Sequence, residues 1–308
     1  MAWAPSLRLL STAARNSSQR RRVGIVGFGA VGKYLANAIL KDPACQETLE
    51  LAFVCEPVDP GAVVASGTVP KEAALDDLAD FASKDADLIV EVAHASISER
   101  YGAAFLQNAD YMPASTTAFA DAKLEAQLVA VARDTSTTHG LYLPSGALWG
   151  ARDIQKMDER GALRALTVTM KKAPHHLKLY GEVGECLEAL LADGVQGEHV
   201  LYEGPVRNLA AFAPNNVNTM AAAALAAPSI GGFDGVTARL VMDTDTEAHV
   251  VTVDVEGPVS KPGAPPFKLS TVRYNPAAAG AVTGDATYSS FMSSMLEARD
   301  RGAGVHFC

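Results

Sequence analysis

The chain has 308 residues, 48% hydrophobic and 20% charged, enough to bury a sizeable core and to fill two domains of about 100–200 residues each. Its formal charge of −9, with no basic stripe beyond the N-terminus, argues against nucleic acid as the main partner, and no apolar run approaches the roughly 20 residues of a membrane span. Cysteines at 45, 55, 186 and 308 show neither CxxC nor metal-ligand spacing, which fits a reducing compartment without a disulfide framework or a zinc site.

The first 22 residues stand apart. They hold Arg8, Arg15, Arg20, Arg21 and Arg22 and frequent serines, and no acid appears before Asp42. Residues 1–21 read either as a mitochondrial presequence or as a disordered tail outside the fold, which leaves the compartment open between cytoplasm and mitochondrial matrix. A β-branched run then feeds into Gly27-Phe28-Gly29-Ala30-Val31-Gly32, the strand, tight turn and helix start of a dinucleotide-binding unit. Gly27 makes the turn, Gly29 lets the backbone approach a pyrophosphate, and Gly32 lets the helix pack closely on the strand. The N–H groups of Ala30 and Val31 would face the phosphates. A second strand, Leu49–Cys55, ends in Glu56, which can accept both ribose hydroxyls and would repel the extra phosphate of NADP; NAD is the expected cofactor, with NADP left open.

Pro57–Thr68 reads as loop and Leu75–Phe81 as a short helix. Strands are expected at Asp87–Val92, Tyr111–Ser115 and His139–Leu143, with helices from Ser98 to Asn108 and from Asp121 to Arg133. This alternation implies an α/β fold, a Rossmann-type parallel sheet over residues 22–146. Its ligand would sit beyond the carboxyl ends of the strands, where Gly27, Glu56, Ala93-His94, Thr116-Thr117 and Pro144-Ser145-Gly146 fall. After Gly150 the texture changes to strands at Ala165–Met170, Val236–Met242, His249–Val255 and Lys268–Tyr274, with helices at Gly184–Ala192 and Asn216–Ala226. Residues 147–284 form the expected α+β substrate and oligomerisation domain, and residues 285–308 a C-terminal helix returning to the first.

Four segments in order give the chain a more specific character: Gly27 to Lys33, Ser115-Thr116-Thr117-Ala118-Phe119-Ala120-Asp121, Pro144-Ser145-Gly146-Ala147-Leu148-Trp149-Gly150, and Pro214-Asn215-Asn216-Val217-Asn218. Together they resemble the L-aspartate dehydrogenase family over about residues 22–300. The resemblance implies oxidation of L-aspartate by NAD or NADP to iminosuccinate, which water hydrolyses to oxaloacetate and ammonia, by a homo-oligomer, expected to be a dimer. It also implies that Ala147 and Asn216 lie near the nicotinamide. The family's catalytic histidine sits in an Asn-x-His-x-Ile strand. Counting forward from Asp243 lands near His249, counting back from Gly257 lands on Val251, and the asparagine is absent in both registers. His249 is the candidate base, since imidazole titrates near neutrality.

A dicarboxylate needs cationic partners, and the family carries a basic segment where this chain has Lys171-Lys172-Ala173-Pro174-His175-His176. Adjacent lysines on a strand point to opposite faces, so Lys172 is taken as the one entering the cleft, with His175 a weaker candidate. The altered histidine setting keeps two alternatives open: a dinucleotide-binding sensor or scaffold without turnover, and a dehydrogenase for another small dicarboxylic amino acid.

Overall fold

The computed structural model describes residues 20–214, 216–276 and 286–308. Residues 1–19 of the leader or tail, and Asn215, lie outside the described residues. The strands run β1 (Arg21–Val26), β2 (Leu49–Cys55), β3 (Leu88–Glu91), β4 (Asp110–Pro113), β5 (Gly140–Leu143), β6 (Ala165–Lys172), β7 (Glu198–Pro205), β8 (Thr237–Asp243), β9 (Ala248–Val259), β10 (Pro266–Pro276) and β11 (Gly304–Phe307).

Six of them form one sheet in the order β11-β5-β4-β3-β1-β2, with every pairing parallel. Chain order reverses between β1 and β3, which is where a doubly wound sheet opens its ligand crevice. The other five form a mixed sheet, β10-β9-β6-β8-β7, antiparallel except for β6 with β8. The α/β class with a second α+β unit is what the alternation of helix and strand patterns implies.

Arg21 belongs to β1 together with Arg22, which corrects its assignment to a leader outside the fold. The strand tolerates them because their charges are matched: Arg21 pairs with Asp110, and Arg22 pairs with Glu50 at 2.9 Å while donating to the Lys84 and Asp85 carbonyls. Helix Ala30–Lys41 buries Gly32, Leu35, Ala36 and Ile39, the spacing of one helical face. Its approach to β1 is close enough that a Cβ on Gly32 would lie 2.0 Å from the Gly27 carbonyl oxygen, while Gly27 itself turns at φ +107°.

Other boundaries shift for local reasons. Pro57–Thr68 contains a helical turn at Gly61–Ala65, and Leu75–Phe81 resolves into a 3₁₀ segment, Leu78–Lys84, opened by the Asp77 carboxylate. The helix expected from Ser98 starts at Ala95, because the His94 ring caps it by accepting from Ser96 N. Strand β7 and helix Val206–Phe212 have no counterpart in the sequence reading. Helix Ala286–Glu297 packs on the first domain, with Met292 and Met295 in one cluster with Val23, Ile25 and Leu35, and the chain after it adds strand β11 beside β5.

One hydrophobic cluster spans both sheets, from Phe105, Tyr111 and Leu141 through Met220 and Ala223 to Val168, Leu240 and Val253. Between them lies helix Asn218–Ala226, whose Met220 to Ala224 and Ala226 are all buried. Gly32→Ala forces the helix off β1 and is expected to destabilise the protein by about 1–3 kcal/mol in urea unfolding, the range for overpacking. Gly29→Ala, whose Cβ meets nothing within 4 Å, costs less.

Candidate active site

The turn after β1 carries Gly27, Gly29, Ala30, Val31 and Gly32 at the carboxyl end of the strand. Helix Ala30–Lys41 has Gly29 at its N-cap, no side-chain cap and no acid in its first turn. Its first N–H groups therefore keep no partner from a capping side chain, and open space stands over Gly29, which is the cradle a diphosphate requires. Glu56 follows β2 and is tied to this turn, its carboxylate accepting from Phe28 N at 2.7 Å and Val58 N at 3.3 Å. A dinucleotide fits these residues, with its diphosphate at the helix start and an acid at the ribose end.

Between the two sheets lies a cleft of about 300 Å³. It gathers Val31, Ala93, Thr116, Ala147, Lys172, Asn216 and His249, residues that the sequence places on seven different segments. Several are already engaged. Thr116 Oγ1 donates to the Asn218 carbonyl at 2.9 Å and Thr117 N to Asn218 Oδ1 at 3.1 Å, so this pair fastens the loop after β4 to the alanine-rich helix. Asn216 uses both ends of its amide, accepting from Lys172 Nζ at 2.9 Å and donating to the Lys178 carbonyl at 3.2 Å.

Strand alternation turns Lys172 into the cleft, 3% exposed, and sends Lys171 to the other face, where it pairs with Glu198 and Asp243. His175 is exposed and does not line the cleft, which departs from its expected place as a weaker candidate for the substrate. The 3₁₀ turn Pro174–His176 instead buries His176 against His249, ring centroids 4.7 Å apart and nearly perpendicular. His249 and Val251 both face the cleft, two residues apart on β9. The imidazole is 4% exposed, and Nε2 has no hydrogen-bond partner among the described residues.

Arg273 and Asn275 are the residues that sequence reasoning missed. They lie opposite Val251 and His249 on β10 and turn into the same cleft. Alternation with Val272 and Tyr274 could have marked them, but β10 carried no motif to draw attention. Among the described residues lining the cleft there is no aspartate or glutamate, in a protein of net charge −9. Burial lowers the Lys172 pKa to about 8, and burial followed by the Lys172 charge lowers that of His249 to about 4. Burial also lowers Arg273, with no anion acting against it. No group of side chains suited to a metal ion occurs among the described residues.

Glu91 is a third residue with no sequence signal. Fully buried at the end of β3, its carboxylate accepts from Ala93 N at 2.7 Å and from Ser115 N and Oγ at 3.2 and 3.1 Å, joining two loops that line the cleft. Burial outweighs these three donors and lifts its pKa to about 7.

Comparison with known proteins agrees with this geometry. A family model described as homoserine dehydrogenase, NAD binding domain, matches residues 27–142, and one described as aspartate dehydrogenase, C-terminal, matches residues 153–294. An aspartate dehydrogenase domain-containing protein of Danio rerio is 45% identical over 93% of this chain and 98% of its own length. An L-aspartate dehydrogenase of Methanopyrus kandleri is 28% identical over 76% of this chain and 81% of its own. The crystal structure of aspartate dehydrogenase from Thermotoga maritima shares the fold, with a TM-score of 0.62 and 18% identity over 92% of this chain and 98% of that one.

Glu91→Gln puts an amide NH2 against Ala93 N–H or Ser115 N–H, and is expected to cost about 1–3 kcal/mol in urea unfolding at pH 8. The wild-type carboxyl, raised from 4.5 to about 7, contributes stability below pH 4.5 that is lost as pH rises through 7. The variant should lack that decline.

Proposed function

This chain belongs to the L-aspartate dehydrogenase family, and from that premise we propose that it oxidises L-aspartate with NAD to iminosuccinate, which water hydrolyses to oxaloacetate and ammonia. It carries an NAD-binding domain and is a dehydrogenase-type oxidoreductase. The observation that favours an acidic substrate is the cleft itself, where Lys172, His249 and Arg273 converge without a carboxylate beside the nucleotide-binding turn.

When bound, the nicotinamide supplies the electron acceptor for the Cα–H bond; the remaining work falls to the chain. Lys172, held by Asn216, takes a substrate carboxylate and with it fixes the orientation of Cα. His249 is neutral at physiological pH, because burial and the nearby lysine charge disfavour imidazolium, so its partnerless Nε2 can accept a proton. A base near 4 is weak; a bound carboxylate offsets the Lys172 charge and so removes the second of the two causes that lower the imidazole, while burial, the larger one, remains. Once that proton has passed to solvent, the same nitrogen can take one from the water that attacks the imine carbon, beside the apolar Met170, Val251 and Phe291 of the cleft wall. Glu56 supports NAD over NADP by charge repulsion of a ribose phosphate.

We also read the chain as a homodimer. Val272 and Tyr274 alternate with Arg273 and Asn275 along β10, so two apolar side chains stand exposed, at 53% and 72%, on the face away from the cleft. Sedimentation at micromolar concentration should return twice the chain mass, and a monomer there would remove the reading.

The purified protein with L-aspartate should generate reduced nicotinamide and ammonia, faster with NAD than with NADP. His249→Ala is expected to lower kcat about 10²–10⁴-fold, the usual contribution of a general base. Undiminished activity in that variant would unseat the histidine, and NAD binding without turnover of any dicarboxylic amino acid would leave a nucleotide sensor in place of an enzyme.

A further inference from the structure

Two cations stand on the cleft wall at different distances from His249. Lys172 follows Lys171, which pairs with Val250, so it stands level with His249 on the neighbouring strand, whereas Arg273 stands opposite Val251, with Asn275 opposite His249. Along β9 the step from His249 to Val251 is about 6.6 Å at the strand rise of 3.3 Å per residue. The reacting Cα and its amino group must lie beside His249, so the carboxylate attached directly to Cα falls to Lys172. A second carboxylate, further along the carbon chain, falls to the site next to Val251.

Arg273 is equipped for it. One guanidinium N–H donates to the Gly146 carbonyl at 3.1 Å, and the others have no hydrogen-bond partner among the described residues. No described carboxylate pairs with the residue, although arginine offers five donors in a fork that matches a carboxylate edge. The bond to Gly146 also places the guanidinium beside Ala147, at the mouth shared by the cleft and the depression under Trp149. The Gly146 carbonyl is held from its other side by Ser290 Oγ at 3.0 Å, so the fork is aimed by a fixed loop.

We propose that Arg273 binds the side-chain carboxylate of the substrate and, with Lys172, restricts this cleft to dicarboxylic amino acids. The assignment rests on the dehydrogenase reading for the identity of the substrate but not for the existence of the anion site. A four-carbon diacid meets both cations. The same skeleton ending in a methyl group leaves Arg273 desolvated and unpaired, a penalty that hydrogen-bonding sites exact from analogues lacking the group.

Succinate and butyrate, titrated calorimetrically into the protein saturated with NAD, separate the possibilities without turnover. Wild type should bind succinate at least 100-fold more tightly than butyrate. Arg273→Gln should weaken succinate about 100-fold and leave butyrate within threefold, and Arg273→Lys, which keeps charge but loses the fork, should fall between them. In parallel, the kcat/KM preference for L-aspartate over L-2-aminobutyrate should collapse in Arg273→Gln, through KM more than kcat. Equal binding of succinate and butyrate by wild type, unchanged succinate affinity in Arg273→Gln, or equal loss of both ligands would overturn the assignment, the last because Arg273 would then be only a strut for Gly146. Selective loss of succinate in a protein that oxidises no amino acid would support the anchor while the dehydrogenase reading fails. Turnover of L-aspartate with an unchanged KM in Arg273→Gln would do the reverse.

Discussion

Both walls of the cleft rest on helix Asn218–Ala226, and its small side chains set how near the two sheets can come. A helix buried on every side normally carries bulky apolar groups; here four consecutive alanines, 221–224, let neighbouring backbone approach closely. Its first residue, Asn218, fastens Thr116 and Thr117, which fixes the loop after β4 relative to the second sheet. The spacing between the nucleotide turn and His249 is thus decided by packing and hydrogen bonds of a helix that belongs to neither. A catalytic geometry that tolerates little displacement depends on that rigidity.

The chemistry of the cleft follows from charges that the protein leaves unbalanced. Buried cations are ordinarily paired, because desolvation costs several kcal/mol per ion. Elsewhere this chain obeys the rule: Arg21 with Asp110, Lys171 with Glu198 and Asp243, Arg207 with Asp234 and Glu125. The buried Lys172, held by the Asn216 amide, and the half-buried Arg273 have no carboxylate partner among the described residues, and both stand on one face of one sheet. An anionic ligand relieves a strain already present, so part of its affinity comes from restoring what folding removed. Glu91 shows the opposite case, a carboxylate without a cation, and its work is to hold two loops in place.

Legibility in the sequence followed the strength of local patterning. The turn Gly27 to Gly32 announced itself because three glycines meet three separate backbone demands within six residues, and Leu49–Cys55 was readable to its ends as an apolar run interrupted only by Glu50. The same logic separated Lys172 from Lys171, since strand alternation needs no tertiary information. Arg273, Asn275 and Glu91 carried no such signal. Their significance depends on which strands become neighbours, and β9, which carries β10 beside it, pairs with β6 across 79 to 91 residues of chain. His175 illustrates the limit within a motif: a histidine pair at a proline turn does not say which ring faces inward. Arg21 and Arg22 misled for a related reason, as a basic run resembles a leader until its acidic partners, 28 and 89 residues away, are known.

Strand β11 closes the edge of the first sheet with residues from the far end of the polypeptide, and the adjoining Cys308 carbonyl accepts from Ser145 N and Oγ, both at 2.9 Å. The loop that leads to Ala147 is therefore braced by residues translated after the entire second sheet. During synthesis the nucleotide-binding half emerges first yet waits, with β5 as an unprotected border, for its last component. Such an arrangement makes the order of maturation run backwards through the chain: the nucleotide-binding sheet, begun before the second sheet is made, is completed only after it.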